Sequence, residues 1–299
     1  MSIRLIALDL DGTLLDSRGN LPERNRRAIE RARERGVRIA LVTGRRFRDA
    51  RPLALELGLD VPVISHNGAL TKHARTLETV AALLLPKEAA LAVARAGRAR
   101  GEDALVSDDH HGLGVLVYDH LSAGNVALAK YVAWARRIHG PEADEAVRLV
   151  PSLEEYLDHD PVHVTFSGAC DRMSALSESL AGELGGAVKL LLTLYQKMDF
   201  ALLDVLHPLA SKGAGVAAAA AEQGLARADV MAVGDNLNDL EMLEYAGTGV
   251  LMGNAEQSLL TRKHVHRTAT NDEGGVAEAI ERFVLTEHGE SGVRSQESE

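Results

Sequence analysis

Apolar positions fall in two rhythms along the chain, and their alternation at both ends predicts a layered α/β core. Ile3 to Leu8 is apolar apart from Arg4 and reads as a buried strand. A helix is expected over Glu23 to Arg35, with Pro22 near its first turn and Gly36 as its stop. Val37 to Val42 forms a second apolar run, Phe47 to Leu57 a second helix closed by Gly58, with Pro52 an irregularity within it. Val61 to Ile64 makes a third strand before the turn signal Asn67-Gly68. Such spacing implies a parallel sheet with right-handed crossovers.

The same alternation returns near the other end. Helices are expected at Lys212 to Gln223, Leu237 to Tyr245, Ala255 to Thr261 and Gly275 to Leu285, with strands at Val230 to Val233 and Thr248 to Leu251. Between the halves the texture changes. Helices at Pro86 to Arg100 and Ser122 to His139 accompany strands at Ala104 to Ser107, Leu113 to Tyr118, Val162 to Ser167, Val188 to Leu194 and Phe200 to Val205. The pattern predicts a core built from 1–83 and 208–299, interrupted by an α+β cap at 84–207. The polar tail from about Glu287 is expected to fray.

Composition narrows the partners more than the chemistry. With 299 residues, 46% hydrophobic and 25% charged, the chain resembles a globular protein able to bury a real core. A net charge of −10 argues against nucleic acid, and the basic stretch Arg24 to Arg38 is interleaved with glutamates as on a solvated helix face. No apolar stretch reaches spanning length and none resembles a signal peptide, so no membrane partner and a cytoplasmic location are expected. Cys170, the single cysteine, has no disulfide partner in the chain and no neighbouring base. Oligomeric state is not legible.

Four polar signals punctuate the predicted core. Asp9 and Asp11 lie two positions apart at the end of the first strand, where extended chain puts alternate side chains on one face. Thr43-Gly44 follows the second strand; a hydroxyl and a glycine amide suit an oxyanion, though this is also common turn chemistry. Lys212 stands near a helix start, against the macrodipole. Gly234-Asp235-Asn236-Leu237-Asn238-Asp239 follows another strand and could be merely an N-cap and acidic first turn. Together with Asp9 and Asp11 it makes an oxygen-rich site suited to a hard divalent cation, Mg²⁺ above all. EF-hand spacing is absent, Gly247 to Gly253 misses a dinucleotide fingerprint, and Asp108-Asp109-His110-His111 reads as a solvated cap loop. Tyr131 and Trp134, at helical spacing, read as packing.

These four signals, in this order, resemble the motifs of the haloacid dehalogenase superfamily. The long gap between Thr43 and Lys212 resembles the type C2 cap arrangement. His66 to Ala69, Glu244 to Gly247 and Asn271 to Val276 resemble the Cof-type, subfamily IIB branch. The resemblance implies a Rossmann-like core with a parallel sheet and helices on both faces. It implies Mg²⁺-dependent hydrolysis of a small phosphorylated metabolite through an aspartyl-phosphate, with a phosphomutase or a non-catalytic sugar-phosphate sensor as alternatives. Asp9 would be the nucleophile and Asp11 the proton donor and acceptor. The carboxylates of Asp9 and Asp235 and the backbone carbonyl of Asp11 would hold the metal. Thr43, Gly44, Lys212 and Asn238 would contact phosphate, and Asp239 would stand behind the ligands.

Overall fold

The computed structural model describes residues 3–262 and 264–286, so the tail from Glu287 lies outside the described residues. The chain starts with β1 (Leu5–Asp9), α1 (Glu23–Glu34), β2 (Arg38–Val42), α2 (Phe47–Glu56) and β3 (Val63–Ser65). A hairpin that the apolar pattern does not announce follows, β4 (Leu70–Lys72) and β5 (Thr79–Ala82), each too short to show a period. Next come α3 (Lys87–Ala99), β6 (Leu105–Asp108), β7 (Val115–Tyr118), α4 (Val126–His139), α5 (Ala143–Ala146) and β8 (Val147–Leu149). The middle of the chain ends with α6 (Leu153–Tyr156), β9 (His163–Gly168), α7 (Cys170–Leu184), β10 (Lys189–Tyr195) and β11 (Phe200–Leu206). The last elements are α8 (Lys212–Glu222), β12 (Val230–Gly234), α9 (Leu240–Tyr245), β13 (Thr248–Leu251), β14 (His266–Arg267) and α10 (Gly275–Ile280).

Two sheets result. The first runs β14-β13-β12-β1-β2-β3-β4-β5, parallel through β3 and antiparallel in the hairpin. Both its faces are covered, which explains the unbroken apolar runs. Leu5 and Ala7 of β1 pack beneath α8 and α9, while Ile6 and Leu8 pack with α1, α2 and α10. With β1 flanked by β2 and β12, three carboxyl ends stand side by side, and ligands of open α/β sheets bind outside those ends.

The second sheet, β10-β11-β9-β6-β7-β8, belongs to the cap. Helices α3 and α7 cover one face, against Val106, Val164, Phe166 and Leu203. Helix α7 is missing from the sequence reading because serines dilute its stripe of Cys170, Met173, Leu176 and Leu180, all buried here. On the other face α4 covers the β6–β8 end, through Leu128, Val132 and Ala135, and reaches the near side of β9. The β9–β11 end of that face looks onto the core.

Buried polar groups fasten the cap to the core. Lys72 Nζ, fully buried, donates to the carbonyls of His110 (2.8 Å) and Gly112 (2.6 Å). Arg48 Nε donates to the Gly114 carbonyl at 2.9 Å. The Asp108 to His111 stretch is solvated only in part: Asp109 and His111 are exposed, whereas buried Asp108 accepts from the Tyr156 hydroxyl and pairs with His159 Nε2, both at 2.7 Å. Deeper in the seam His66 of the core meets His163 of the cap, Nδ1 to Nδ1, at 3.2 Å. The Phe47 amide donates to His66 Nε2 at 3.2 Å. Neutral His66 must then carry its proton on Nδ1 and donate it to His163, whose own proton sits on Nε2 facing Ser107 Oγ.

This pair makes stability depend on pH. Burial first, then the neighbouring ring and Arg46, pushes the His66 pKa well below 6.5, and burial lowers that of His163. Below the unfolded value of 6.5 the unfolded chain binds more protons than the native one, so stability is complete above it and falls as pH falls. The slope should approach ~1.4 kcal/mol per pH unit for each histidine. Urea unfolding between about pH 7.5 and about pH 5 measures it, and His163→Gln should flatten the dependence. An unchanged slope in that variant would contradict the assignment.

Candidate active site

Strand β1 ends at Asp9, two residues short of Asp11, so the two acids part company. Asp9 is buried, whereas the Asp11 side chain is 60% exposed in the following turn. Arg45 grips Asp11 with both arms, Nε to Oδ2 at 2.7 Å and Nη2 to Oδ1 at 2.5 Å. Arg45 directly follows Thr43-Gly44 in the sequence, where nothing marks it as the partner of Asp11.

The turn after Asp9 is pinned from outside. Asn254, Asn25 and Asn271 donate side-chain amides to the carbonyls of Gly12 (2.8 Å), Leu14 (3.0 Å) and Leu15 (2.9 Å). Gly12 has φ +85°, and a Cβ there would sit 2.5 Å from Asp235 Oδ2. Only glycine admits that approach, which lets Thr13 Oγ1 donate to Asp235 Oδ1 at 2.7 Å.

Lys212 opens α8, whose N-cap Ser211 accepts from the Ala214 amide at 3.0 Å. Its ammonium is buried between Asp9 Oδ1 (2.6 Å) and Asp239 Oδ1 (2.5 Å). Burial alone would depress its pKa, but Asp239 and Asp9 outweigh burial and raise it. Gly68, at φ +89°, brings the preceding turn against this helix start; a Cβ there would lie 1.8 Å from the Ser211 carbonyl oxygen.

Asp9, Asp235 and Asp239 bring carboxylate oxygens within 4.8 Å of one another. Burial, then Asp239, pushes the Asp9 pKa well up, and the same causes push Asp235 to about 6. Asp239 is already saturated: its Oδ1 faces Lys212, and its Oδ2 accepts the amides of Asp235 and Asn236, both at 2.9 Å. Three carboxylates face one ammonium, leaving an excess of two negative charges. Hard oxygen donors with that excess fit a divalent cation, with Asp9 and Asp235 the carboxylates free to hold it. The Asp11 carbonyl accepts no hydrogen bond among the described residues.

Thr43 is buried at the end of β2, and its Oγ1 accepts the Arg45 amide at 3.1 Å, so its own proton is free to donate. The Gly44 amide has no acceptor among the described residues. Asn238 Nδ2 donates to Asn67 Oδ1 at 2.9 Å, while Asn238 Oδ1 is buried without a partner among the described residues. Thus every residue singled out from the sequence for the site borders one space, with Asp239 beneath it.

That space is a cavity of about 950 Å³ between core and cap. Tyr131 and Trp134 stack at 5.8 Å and line it rather than serving packing alone. Asn67 bridges the domains, donating to Asp204 of β11 at 3.2 Å. Cys170 lies apart, its thiol against the Phe200 carbonyl, its pKa raised by burial. No helix among the described residues is long and apolar enough to cross a membrane.

Known proteins share this arrangement. Residues 6–280 match the haloacid dehalogenase-like hydrolases. The chain is 32% identical to the pyridoxal phosphate phosphatase YbhA of Escherichia coli, over 89% of this chain and 93% of that protein. It is 29% identical to the 5-amino-6-(5-phospho-D-ribitylamino)uracil phosphatase YwtE of Bacillus subtilis, over 94% and 98% of the two chains. A haloacid dehalogenase-like hydrolase from Bacteroides thetaiotaomicron has the same fold, with TM-score 0.76, 27% identity and coverage of 94% and 99%. A core sheet carrying acids at its carboxyl ends, beneath a cap inserted after β5, therefore has its place: the chain belongs to the haloacid dehalogenase-like hydrolases and is a Cof-type phosphatase of that superfamily.

Proposed function

We propose that the protein hydrolyses small phosphate monoesters by passing the phosphoryl group through Asp9. The observation that supports this most is the buried Lys212 ammonium, 2.6 Å from one Asp9 oxygen at the floor of the capped cavity. It orients the carboxylate and offsets charge as a phosphate dianion approaches. The other Asp9 oxygen attacks phosphorus, forming one O–P bond as the ester O–P bond breaks. Asp11 gives its proton to the departing alkoxide, then takes one from the water that cleaves the phosphoryl-aspartate. Arg45 positions Asp11 and must release one of its oxygens for that transfer. The Thr43 hydroxyl, the Gly44 amide, Asn238 and Lys212 hold the phosphoryl oxygens.

Asp9, Asp235 and the Asp11 carbonyl would hold Mg²⁺. When bound, the ion supplies Lewis-acid charge neutralisation to carboxylates that otherwise repel phosphate by about 4 kcal/mol per like-charge pair at 4 Å. Asp239 ligates nothing on this reading and fixes Lys212 instead. The relatives named for pyridoxal phosphate and a phosphoribitylaminouracil act on small metabolites, and a cavity of about 950 Å³ accommodates leaving groups of that size.

Mg²⁺-dependent phosphate release from an aryl phosphate should disappear in Asp9→Asn, and unchanged turnover in that variant would contradict the mechanism. Asp11→Asn should lose about a hundredfold or more on alkyl esters, whose leaving groups need the proton, and far less on activated aryl esters. An equal loss on both would exclude the acid role. Lys212→Met leaves buried carboxylates uncompensated and should lower metal-free stability by about 3–5 kcal/mol in denaturant melts. An unshifted midpoint would show that the ion pair does not carry that energy.

A further inference from the structure

The roof of the cavity is one face of the β9–β11 end of the cap sheet. Register puts Thr165 beside Asp204 and Ser167 beside Leu202, and all four border the cavity. Alternate residues Phe166, Leu203 and Val205 point away into the cap core. Asp204 is the one carboxylate on this roof.

Its partners are unlike those of the other charges here. Arg45 is spent on Asp11, Arg46 on Asp49 and Lys212 on Asp9 and Asp239. Arg48 is directed to cap carbonyls at the seam. Asp103 is consumed by the amide and hydroxyl of Ser122. Among the described residues Asp204 has only neutral donors within hydrogen-bond distance, Thr165 Oγ1 at 2.7 Å and Asn67 Nδ2 at 3.2 Å, with neutral His163 at 3.8 Å. Asn67 also touches the phosphoryl end, bonding Asn238 and packing on Gly44. One side chain therefore separates the reacting phosphate from an uncompensated carboxylate.

We propose that Asp204 determines specificity, selecting phosphate monoesters whose leaving group is neutral or cationic and presents a hydrogen-bond donor beneath the cap, and rejecting those with a second anionic group. The inference rests on the phosphatase reading of the site. A donor on the substrate completes the acceptor set of Asp204, whereas a carboxylate or second phosphate meets like charge there.

Three esters of matched length test it: ethanolamine phosphate, ethylene glycol phosphate and phosphoglycolate, ending in an ammonium, a hydroxyl and a carboxylate. With Mg²⁺ present, the wild type should cleave the first two with kcat/KM at least about tenfold above phosphoglycolate. Asp204→Asn should narrow that ratio to about threefold or less. The ratio cancels any general loss from a disturbed Asn67 or His163, which a merely structural role would cause. Asp204→Ser, smaller but still able to accept from Thr165, should narrow it likewise if the asparagine variant folds poorly. A wild type without preference, or the same preference in every variant, would overturn the proposal. Cleavage of none of the three esters while aryl phosphate is still hydrolysed would overturn it too. Inactivity on aryl phosphate as well would overturn the phosphatase reading beneath it.

Discussion

The contact on which the site depends is the buried ammonium of Lys212 shared between Asp9 and Asp239. It joins β1, the start of α8 and the loop after β12, segments separated by 203 and 27 residues. A charge at a helix start opposes the macrodipole, and burial adds a desolvation cost. Two carboxylates at hydrogen-bond distance offset both, and the remaining lone pairs of Asp239 are filled by backbone amides. The parallel order β12-β1-β2 makes this convergence possible, because it sets three strand ends in a row. Gly12 and Gly68 then admit the close backbone approaches that side chains would block.

Core and cap divide the work. The core carries the acids, the Thr43 hydroxyl and the Gly44 amide at or just after strand ends and the ammonium at the start of α8, with asparagines bracing the turn that bears Asp11. The cap contributes the part of a sheet face that α4 leaves open, and the core fastens it with cations spent on backbone carbonyls. Such cations hold position without requiring partner acids near the reaction. The histidine pair in the same seam is neutral and adds no charge of its own to the joint.

Much of this was legible in the sequence, for identifiable reasons. Strands β1, β2, β12 and β13 are buried on both faces and announce themselves as apolar runs, and the chemistry follows them at their carboxyl ends. Helix α7 was not legible because its stripe is diluted, nor was the β4–β5 hairpin, whose strands are too short for a period. The Asp11–Arg45 pair depends on β1 stopping two residues before Asp11, which alternation in the sequence does not reveal. Alternation in Phe200 to Leu206 separates Leu202 and Asp204 from Leu203 and Val205, but only the pairing of β9 with β11 shows which set meets the cavity. Asp108 looked solvated because its partners, Tyr156 and His159, lie about fifty positions away.

Whether phosphoryl transfer passes through Asp9 is the point on which the rest turns. Rapid acid quench of the Asp11→Asn variant during turnover with Mg²⁺, followed by peptide mass spectrometry, reads it directly, because slowed hydrolysis should let the covalent species accumulate. The expected result is one base-labile phosphoryl group on the peptide containing Asp9, absent when Mg²⁺ is withheld. Phosphate release at the same rate with no adduct at any quench time, or an adduct on another residue, would contradict it.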